Sequence, residues 1–217
     1  MTNTQRAAVV VAHPDDETLW AGGAILARPD WRWTVVTLCR RSDPDREPKF
    51  SRALESLGAT GAMGDADDGP DQLPLDEHEV AATLRSLLPQ VKWDVLFTHS
   101  PFGEYTRHRR HEEVSRAVLS LWARGDILAR EVRLFAYEDG EGAYYPKAIE
   151  RAHVVTTLDE SVWLRKRAVI TNVYGFSPDS WETQTTPRAE AFWRFERPKD
   201  YNIWLKREGA KNAGGVS

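Results

Sequence analysis

The sequence predicts a single α/β domain in which a mostly parallel sheet is covered by helices on both faces. Short apolar segments rich in Val alternate with segments of helical periodicity, which is the pattern of strand-helix-strand units. The apolar segments are continuous, as expected for strands that are buried on both faces. The 217 residues, 41% of them hydrophobic and 29% charged, have the composition of an ordinary soluble domain.

The first part of the chain contains two strand-helix pairs. Residues 7–12 predict a buried strand, and residues 17–28 predict a helix that follows a turn rich in acidic residues. Residues 33–38 predict the second strand. Residues 49–57 predict the second helix, which ends where Gly58 offers a left-handed cap.

The alternation continues along the rest of the chain. A short strand is expected near Ala62, before a polar loop. The later predicted elements are a helix over 76–88, a strand over 93–98, a helix over 110–123, a strand over 132–137 and a helix over 162–171. We expect one domain over residues 1–205 and a disordered tail over residues 206–217.

Composition restricts the partners and the compartment. The 29 basic and 33 acidic residues give a net charge of −4, which does not indicate nucleic-acid binding. No stretch reaches the roughly 20 apolar residues that span a bilayer, and no signal peptide is recognisable. The single cysteine, Cys39, fits a reducing compartment. We expect a cytoplasmic protein that binds a small molecule and neither nucleic acid nor a membrane.

The aromatic residues near the C-terminus are expected to fill a core or to form the interface of a homo-oligomer.

The turn after the first predicted strand carries the first chemical signal. The motif His13-Pro14-Asp15-Asp16-Glu17 places one imidazole and three carboxylates together. Adjacent carboxylates repel unless positive charge lies among them, and a divalent metal held by His13 and Asp16 would supply it. Asp15 would then be free to accept a proton from water. The alternative is a helix N-terminus rich in acidic residues, which the helix dipole favours.

The loop after the fourth predicted strand brings further polar residues to the same sheet edge. His108 and His111 are three residues apart at a helix start and therefore share a face. The alternative is a solvated basic helix start, although cations oppose the helix dipole there. The ligands His13, Asp16 and His111 would leave one coordination position open, as in a catalytic zinc centre. His108 would be free to protonate a leaving group or to stabilise an oxyanion.

The sequence resembles the LmbE/PIG-L family of metal-dependent deacetylases in two motifs. These are AHPDDE after the first strand, and GEY with an H-x-x-H pair after the fourth. The resemblance spans about residues 7–140. It implies a Rossmann-like fold and the removal of acetyl groups from amines of the N-acetylglucosamine type. It also implies Zn²⁺ held by His13, Asp16 and His111, and iron is the alternative metal where it is more available.

The resemblance also implies roles for residues around the metal. Asp15 would be the base, and His108 the acid or the oxyanion stabiliser. Arg52, on the second predicted helix, would contact the substrate, and Tyr105 would belong to the substrate site. Arg110 stands where the family usually has a carboxylate or an amide. If Arg110 faced His108 it would lower the pKa of that imidazole, and Glu104 would be the alternative partner.

The sequence therefore predicts a zinc-dependent hydrolase that removes the acetyl group from an N-acetylated amino sugar or its conjugate. Two alternatives stay open. One is a zinc amidase that acts on a non-sugar amide, because the metal handles the carbonyl while the pocket selects the rest. The other is a sugar-binding or nucleotide-binding protein without turnover.

Overall fold

The structure is a computed structural model in which residues 4–105 and 107–214 are described. The strands are β1 (Arg6–Val11), β2 (Arg32–Cys39), β3 (Ala59–Ala66), β4 (Lys92–Thr98), β5 (Leu128–Phe135), β6 (Tyr137–Glu138), β7 (Lys147–Ala148), β8 (Val154–Thr157) and β9 (Ala189–Phe195). The helices are α1 (Asp16–Leu26), α2 (Arg46–Leu57), α3 (Glu77–Leu87), α4 (Arg109–Arg124), α5 (Glu160–Ala168), α6 (Trp181–Thr185) and α7 (Pro198–Gly214), and a π-helical turn (Val169–Val173) follows α5. None of the helices in this part of the chain is long and apolar enough to cross a bilayer.

Seven strands form one sheet in the order β3-β2-β1-β4-β5-β9-β8, and β6 pairs with β7 separately. The neighbours from β3 to β5 are parallel, whereas β9 is antiparallel to both β5 and β8. The predicted mostly parallel α/β sheet is therefore confirmed, with two antiparallel strands added at one edge. Val10 near the end of β1 is level with Thr98 at the end of β4, so the loops that follow these strands leave the sheet side by side.

The sheet is buried on both faces because successive side chains of each central strand point in opposite directions. Val10 of β1 belongs to the apolar cluster that includes Leu121 of α4. Val9, its neighbour on the same strand, belongs to the cluster on the other face, together with Ile25 of α1. This double burial explains why the strands are continuous apolar segments in the sequence.

Helix α1 is buried at all of its residues because α5 packs against it on the side away from the sheet. The approach of α5 is close at Gly22, where an added Cβ would lie 3.3 Å from the Lys166 side chain, and a Cβ at Gly23 would collide with Leu158, which precedes α5. A buried carboxylate occupies this gap. Glu190 accepts hydrogen bonds from the backbone N–H groups of Gly23 and Ala24, both at 2.7 Å, and from Lys166 Nζ at 2.8 Å. A charged pair therefore joins α1, α5 and β9 inside the fold.

The C-terminal segment forms helix α7, and the disordered tail over residues 206–217 stays a prediction. Helix α7 continues to Gly214, and residues 215–217 lie outside the described residues. Trp204 of α7 is buried against Trp193 of β9, with ring centroids 5.4 Å apart, and Arg151 donates to Glu208 at 2.8 Å. These contacts stabilise a helix whose polar composition alone indicates fraying. The clustered aromatic residues fill a core at this end of the domain.

Candidate active site

The candidate site lies at the carboxyl edge of the parallel strands, where crevices form in doubly wound sheets. His13 follows β1, Asp68 follows β3 and His99 follows β4. Helix α4 begins at Arg109 and brings His111 to the same place. The strand register confirms the prediction that the loops after β1 and β4 meet at this edge.

Asp16 is the centre of the site. Its carboxylate is almost fully buried, and its Oδ2 lies 3.3 Å from His13 Nδ1 and 3.4 Å from His111 Nε2. Its Oδ1 accepts a hydrogen bond from the indole N–H of Trp20 at 3.1 Å, which fixes the orientation of the carboxylate. Burial alone would raise the pKa of Asp16, but the nearby rings of His111 and His99 hold it well below its usual value. Asp16 is therefore ionised.

Glu104 orients His111 by a hydrogen bond and lies close to His99. Its Oε2 lies 2.8 Å from His111 Nδ1 and 3.2 Å from His99 Nδ1, while its Oε1 accepts the Ser100 N–H at 2.8 Å. Because an ionised carboxylate only accepts hydrogen bonds, His111 carries its proton on Nδ1 and presents the Nε2 lone pair to the site. The Ala12 N–H donates to His99 Nε2 at 3.0 Å. Burial opposes ionisation of Glu104, but the two imidazoles outweigh it and lower its pKa to about 2.

Asp68 fixes His13 and is not among the site residues predicted from the sequence. His13 Nε2 lies 3.2 Å from Asp68 Oδ1. Asp68 also accepts hydrogen bonds from Arg40 Nε and from Gln72 Nε2, each at 2.9 Å. Partial burial opposes ionisation of Asp68, but His13 and these donors hold its pKa below the usual range. With its Nε2 directed at Asp68, His13 faces Asp16 with Nδ1.

The donor set fits a zinc ion. His13 Nδ1, Asp16 Oδ2 and His111 Nε2 lie within 4.8 Å of one another. Ligand atoms about 2.0–2.1 Å from a tetrahedral zinc lie about 3.3 Å apart, which matches the 3.3 and 3.4 Å separations at Asp16. Two imidazole nitrogens that face one carboxylate oxygen at this distance are suited to share a cation with it. A second group of His13, Asp68 and His108 is also close enough, but it shares His13 with the first.

Asp15 has a backbone conformation that residues other than glycine rarely adopt, with φ at 110°. The fully buried carboxylate of Glu17 accepts the Asp15 N–H at 3.0 Å and the Tyr174 hydroxyl at 2.8 Å, which supports this turn. Arg46 Nη1 lies 3.2 Å from Asp15 Oδ2. Burial and the neighbouring Asp16 raise the pKa of Asp15 well above its usual value, despite the opposing charge of Arg46. These effects move Asp15 toward the range of a general base.

The hydrogen-bond partners of Arg110 are Asp67 and Glu113 rather than His108. The fully buried guanidinium of Arg110 donates to the Asp67 carbonyl at 2.6 Å and to Glu113 at 2.7 Å. The alternative partner, Glu104, is engaged with other histidines. His108 Nδ1 is buried and has no hydrogen-bond partner among the described residues. Burial, aided by neighbouring imidazoles, lowers the pKa of His108 to about 4, so the ring is neutral near pH 7.

A cavity of about 270 Å³ opens beside these groups. Its lining combines acidic, basic and aromatic side chains: His13, Pro14, Asp15, Asp16, Leu19, Arg40, Arg46, Asp68, Tyr105, His108, Trp181 and Glu182. The structure brings Tyr105 into this wall, where its ring lies 5.9 Å from Trp20 and 4.6 Å from Trp181 between centroids. Substrate contact by Tyr105 stays a prediction.

Arg52 is not among the residues that line the cavity, and its contact with the substrate stays a prediction. Arg46 begins α2 and lines the cavity, whereas Arg52 lies six residues later on an exposed part of the helix. Six residues correspond to about one and two-thirds helical turns, so the two side chains lie on different faces. The arginine that α2 contributes is Arg46.

Comparison with protein families agrees with this geometry. A family model described as PIG-L, GlcNAc-PI de-N-acetylase, matches residues 8–122. The match covers more than half of the chain and includes His13, Asp16 and His111. The chain belongs to this family. The match ends before β5, so the strands and helices from β5 to α7 lie outside it.

Solved structures with similar folds include several enzymes. The N,N′-diacetylchitobiose deacetylase from Pyrococcus horikoshii has a TM-score of 0.68 at 16% identity, over 92% of this chain and 86% of that one. A deacetylase of the teicoplanin biosynthesis pathway has a TM-score of 0.57 at 17% identity, over 79% and 84%. The 4-carboxy-2-hydroxymuconate hydratase GalB from Pseudomonas putida has a TM-score of 0.60 at 20% identity, over 99% and 91%. At these identities the likeness establishes the fold alone.

A curated relative is equally distant. The uncharacterized protein L374 of Acanthamoeba polyphaga mimivirus is 22% identical over 178 residues, which cover 74% of this chain and 76% of that protein.

Proposed function

We propose that this PIG-L family protein is a zinc-dependent deacetylase that hydrolyses the acetamide of an N-acetylated amino sugar or its conjugate. The observation that carries the proposal is the convergence of His13, Asp16 and His111, of which His13 and Asp16 line a cavity together with the acidic side chain of Asp15. Three ligands leave a position open for water, and Asp15 is not needed as a fourth. The family match and the deacetylases among the similar structures support the same chemistry. A protein that only bound a sugar would have no need of this base.

The reaction consumes water, breaks the amide C–N bond and yields acetate and a free amine. Bound zinc would lower the pKa of a water molecule and polarise the acetyl carbonyl. Asp15 accepts the proton that the attacking water loses and returns it to the amine nitrogen as the C–N bond breaks. The strained turn held by Glu17 and Tyr174 keeps Asp15 at the cavity.

His108 stabilises the charge that develops on the carbonyl oxygen. Its ring lines the cavity, and the neutral imidazole carries one N–H that can donate to a ligand oxygen. A preorganised donor in a water-poor site favours the oxyanion of the transition state over the ground state. Arg46 and Tyr105 extend the same wall and position the remainder of the substrate.

The test is acetate release by zinc-loaded protein from a panel of N-acetylated sugars and non-sugar amides. Replacing Asp15 by Asn removes the base and keeps the shape, so turnover should fall at least about 100-fold while bound zinc stays unchanged by elemental analysis. Asp30→Asn, on an exposed loop, is the matched control and should have no effect.

Each outcome decides between the alternatives. Release from N-acetylated sugars supports the proposal, whereas release from non-sugar amides alone identifies an amidase. Sugar binding with zinc present and no turnover identifies a binding protein. Loss of zinc in Asp15→Asn would make Asp15 a ligand and contradict its role as the base.

A further inference from the structure

One wall of the cavity has no role in the proposed hydrolysis. Trp181 and Glu182, the first two residues of α6, line the cavity together with Asp15 and Tyr105. Both residues lie beyond residue 122, where the family match ends. The matched part of the chain, which carries the proposed zinc ligands, therefore gives no role to these two residues.

Trp181 presents an aromatic surface to the cavity. Its side chain is 36% exposed, whereas Trp193 and Trp204, also near the C-terminus, are each 4% exposed. The Trp181 ring lies 4.6 Å from Tyr105 at an angle of 51°, and Tyr105 lies over the buried Trp20 with ring centroids 5.9 Å apart. The three rings form a continuous aromatic stack, here called the aromatic wall, of which only Tyr105 and Trp181 line the cavity.

The wall connects with the reacting end of the cavity. Tyr105, its middle member, lies 5.8 Å from the ring of His111. A ligand whose acetamide lay beside the proposed zinc ligands could therefore extend along Tyr105 to Trp181 without leaving the cavity.

Glu182 supplies a hydrogen-bond acceptor next to this surface. Within the described residues its carboxylate has no hydrogen bond and no ion pair, although it lines the cavity. The two basic residues of the lining are already engaged, since Arg40 pairs with Asp68 and Arg46 pairs with Asp15. The Glu182 carboxylate is thus available to a ligand.

The segment that carries both residues is held in place. The Ser180 side chain caps α6 by accepting the Thr183 N–H at 3.2 Å. Gln184 donates to the Pro178 carbonyl at 2.8 Å, and the Trp163 indole donates to the Thr186 carbonyl at 3.2 Å. Because a preorganised surface loses little freedom on binding, these contacts suit a ligand site.

We propose that Trp181 and Glu182 form a carbohydrate subsite. The indole face covers the C–H face of a pyranose ring, and the carboxylate accepts hydrogen bonds from the ring hydroxyls. A pyranose offers one apolar face and a polar rim, which match one aromatic surface and one acceptor. The inference rests on the proposed function, since the subsite adjoins the position where the acetamide would be cleaved.

The test compares a cyclic and an acyclic substrate, N-acetylglucosamine and N-acetylputrescine, with zinc-loaded protein. Trp181→Ala should raise KM for the sugar about 3- to 10-fold, the factor expected for one aromatic contact, with kcat within about twofold. Trp181→Phe should restore KM because it keeps an aromatic face, and Glu182→Gln should raise it. KM for N-acetylputrescine should not change. Trp31→Ala is the control, because Trp31 precedes β2 at the opposite edge of the sheet.

Two results would overturn the subsite: an unchanged KM for the sugar in Trp181→Ala, or an equal or larger rise for N-acetylputrescine. The second would point to an ammonium site, which an aromatic face and a carboxylate also form. Release of acetate from neither compound by the wild-type protein would count against the proposed function. The subsite is then decided by tryptophan fluorescence: quenching by N-acetylglucosamine that disappears in Trp181→Ala supports it, and absence of quenching overturns it.

Discussion

The substitution Glu104→Gln tests how the proposed zinc ligand His111 is oriented, without removing that ligand. Glu104 uses both of its oxygens, since Oε1 accepts the Ser100 N–H and Oε2 faces Nδ1 of His111, each at 2.8 Å. Glutamine has nearly the same shape but only one acceptor oxygen. Whichever way the amide is turned, its NH₂ group faces an N–H donor. His111 can relieve the conflict by moving its proton to Nε2, the atom that faces Asp16.

The structure gives the size of the expected effect. A proton on His111 Nε2 blocks the lone pair that would bind zinc, so the metal must bind against the preferred tautomer. Loss of a carboxylate partner of a ligating histidine weakens metal binding about 10- to 100-fold, or about 1.4–2.8 kcal/mol. Because Glu104 is buried and also lies 3.2 Å from His99 Nδ1, we expect the upper part of this range.

The assay is a zinc titration in competition with a chromophoric chelator, with far-UV circular dichroism to show that the variant is folded. Glu55→Gln, on the exposed face of α2, is the matched control and should bind zinc like the wild type. A folded Glu104→Gln protein with zinc affinity within about twofold of the wild type would refute the assignment of His111 as a ligand held by Glu104.

Two further predictions concern the buried ion pair that stabilises the fold and the hydrogen bond that helps to position Asp15. Lys166→Met leaves the Glu190 carboxylate buried without its cation, so it should destabilise the protein by about 3–5 kcal/mol and lower Tm by roughly 10 °C in thermal unfolding. The double variant Lys166→Met/Glu190→Gln should lose less, and an unchanged Tm in the single variant would contradict the buried pair. Tyr174→Phe removes the hydroxyl that donates to Glu17, so kcat for acetate release should fall about tenfold while zinc affinity is retained. A variant that loses affinity and keeps kcat would show that Tyr174 does not act through Asp15.

The parallel part of the fold follows from the sequence because its strands are buried on both faces and its helices are amphipathic. The same regularity locates the site, since the segments after β1 and β4 must meet at the carboxyl edge. Local patterns are weaker where the structure departs from this scheme. Strand β8 is short and largely exposed, and it forms an edge only because β9 pairs with it. The sequence pattern of neither strand distinguishes it from a loop or from an aromatic segment of the core.

The residues missed at the site depend on how whole elements dock. Arg46 rather than Arg52 lines the cavity because the first turn of α2 is the part that approaches it, and helical periodicity does not reveal this. Asp68 lies in an acidic loop after β3. The tendency of sites to form at the carboxyl ends of parallel strands could have identified it as a site residue. Tyr174 reaches Glu17 across 157 positions of sequence, which no local pattern encodes.

Anomalous X-ray scattering at the zinc edge, from crystals of the zinc-loaded protein, tests the central claim most directly. The account predicts one strong peak at about 2.0–2.2 Å from His13 Nδ1, Asp16 Oδ2 and His111 Nε2, with Asp15 outside the coordination sphere. A peak held by His13, Asp68 and His108, or coordinated by Asp15, would contradict the proposed ligand set.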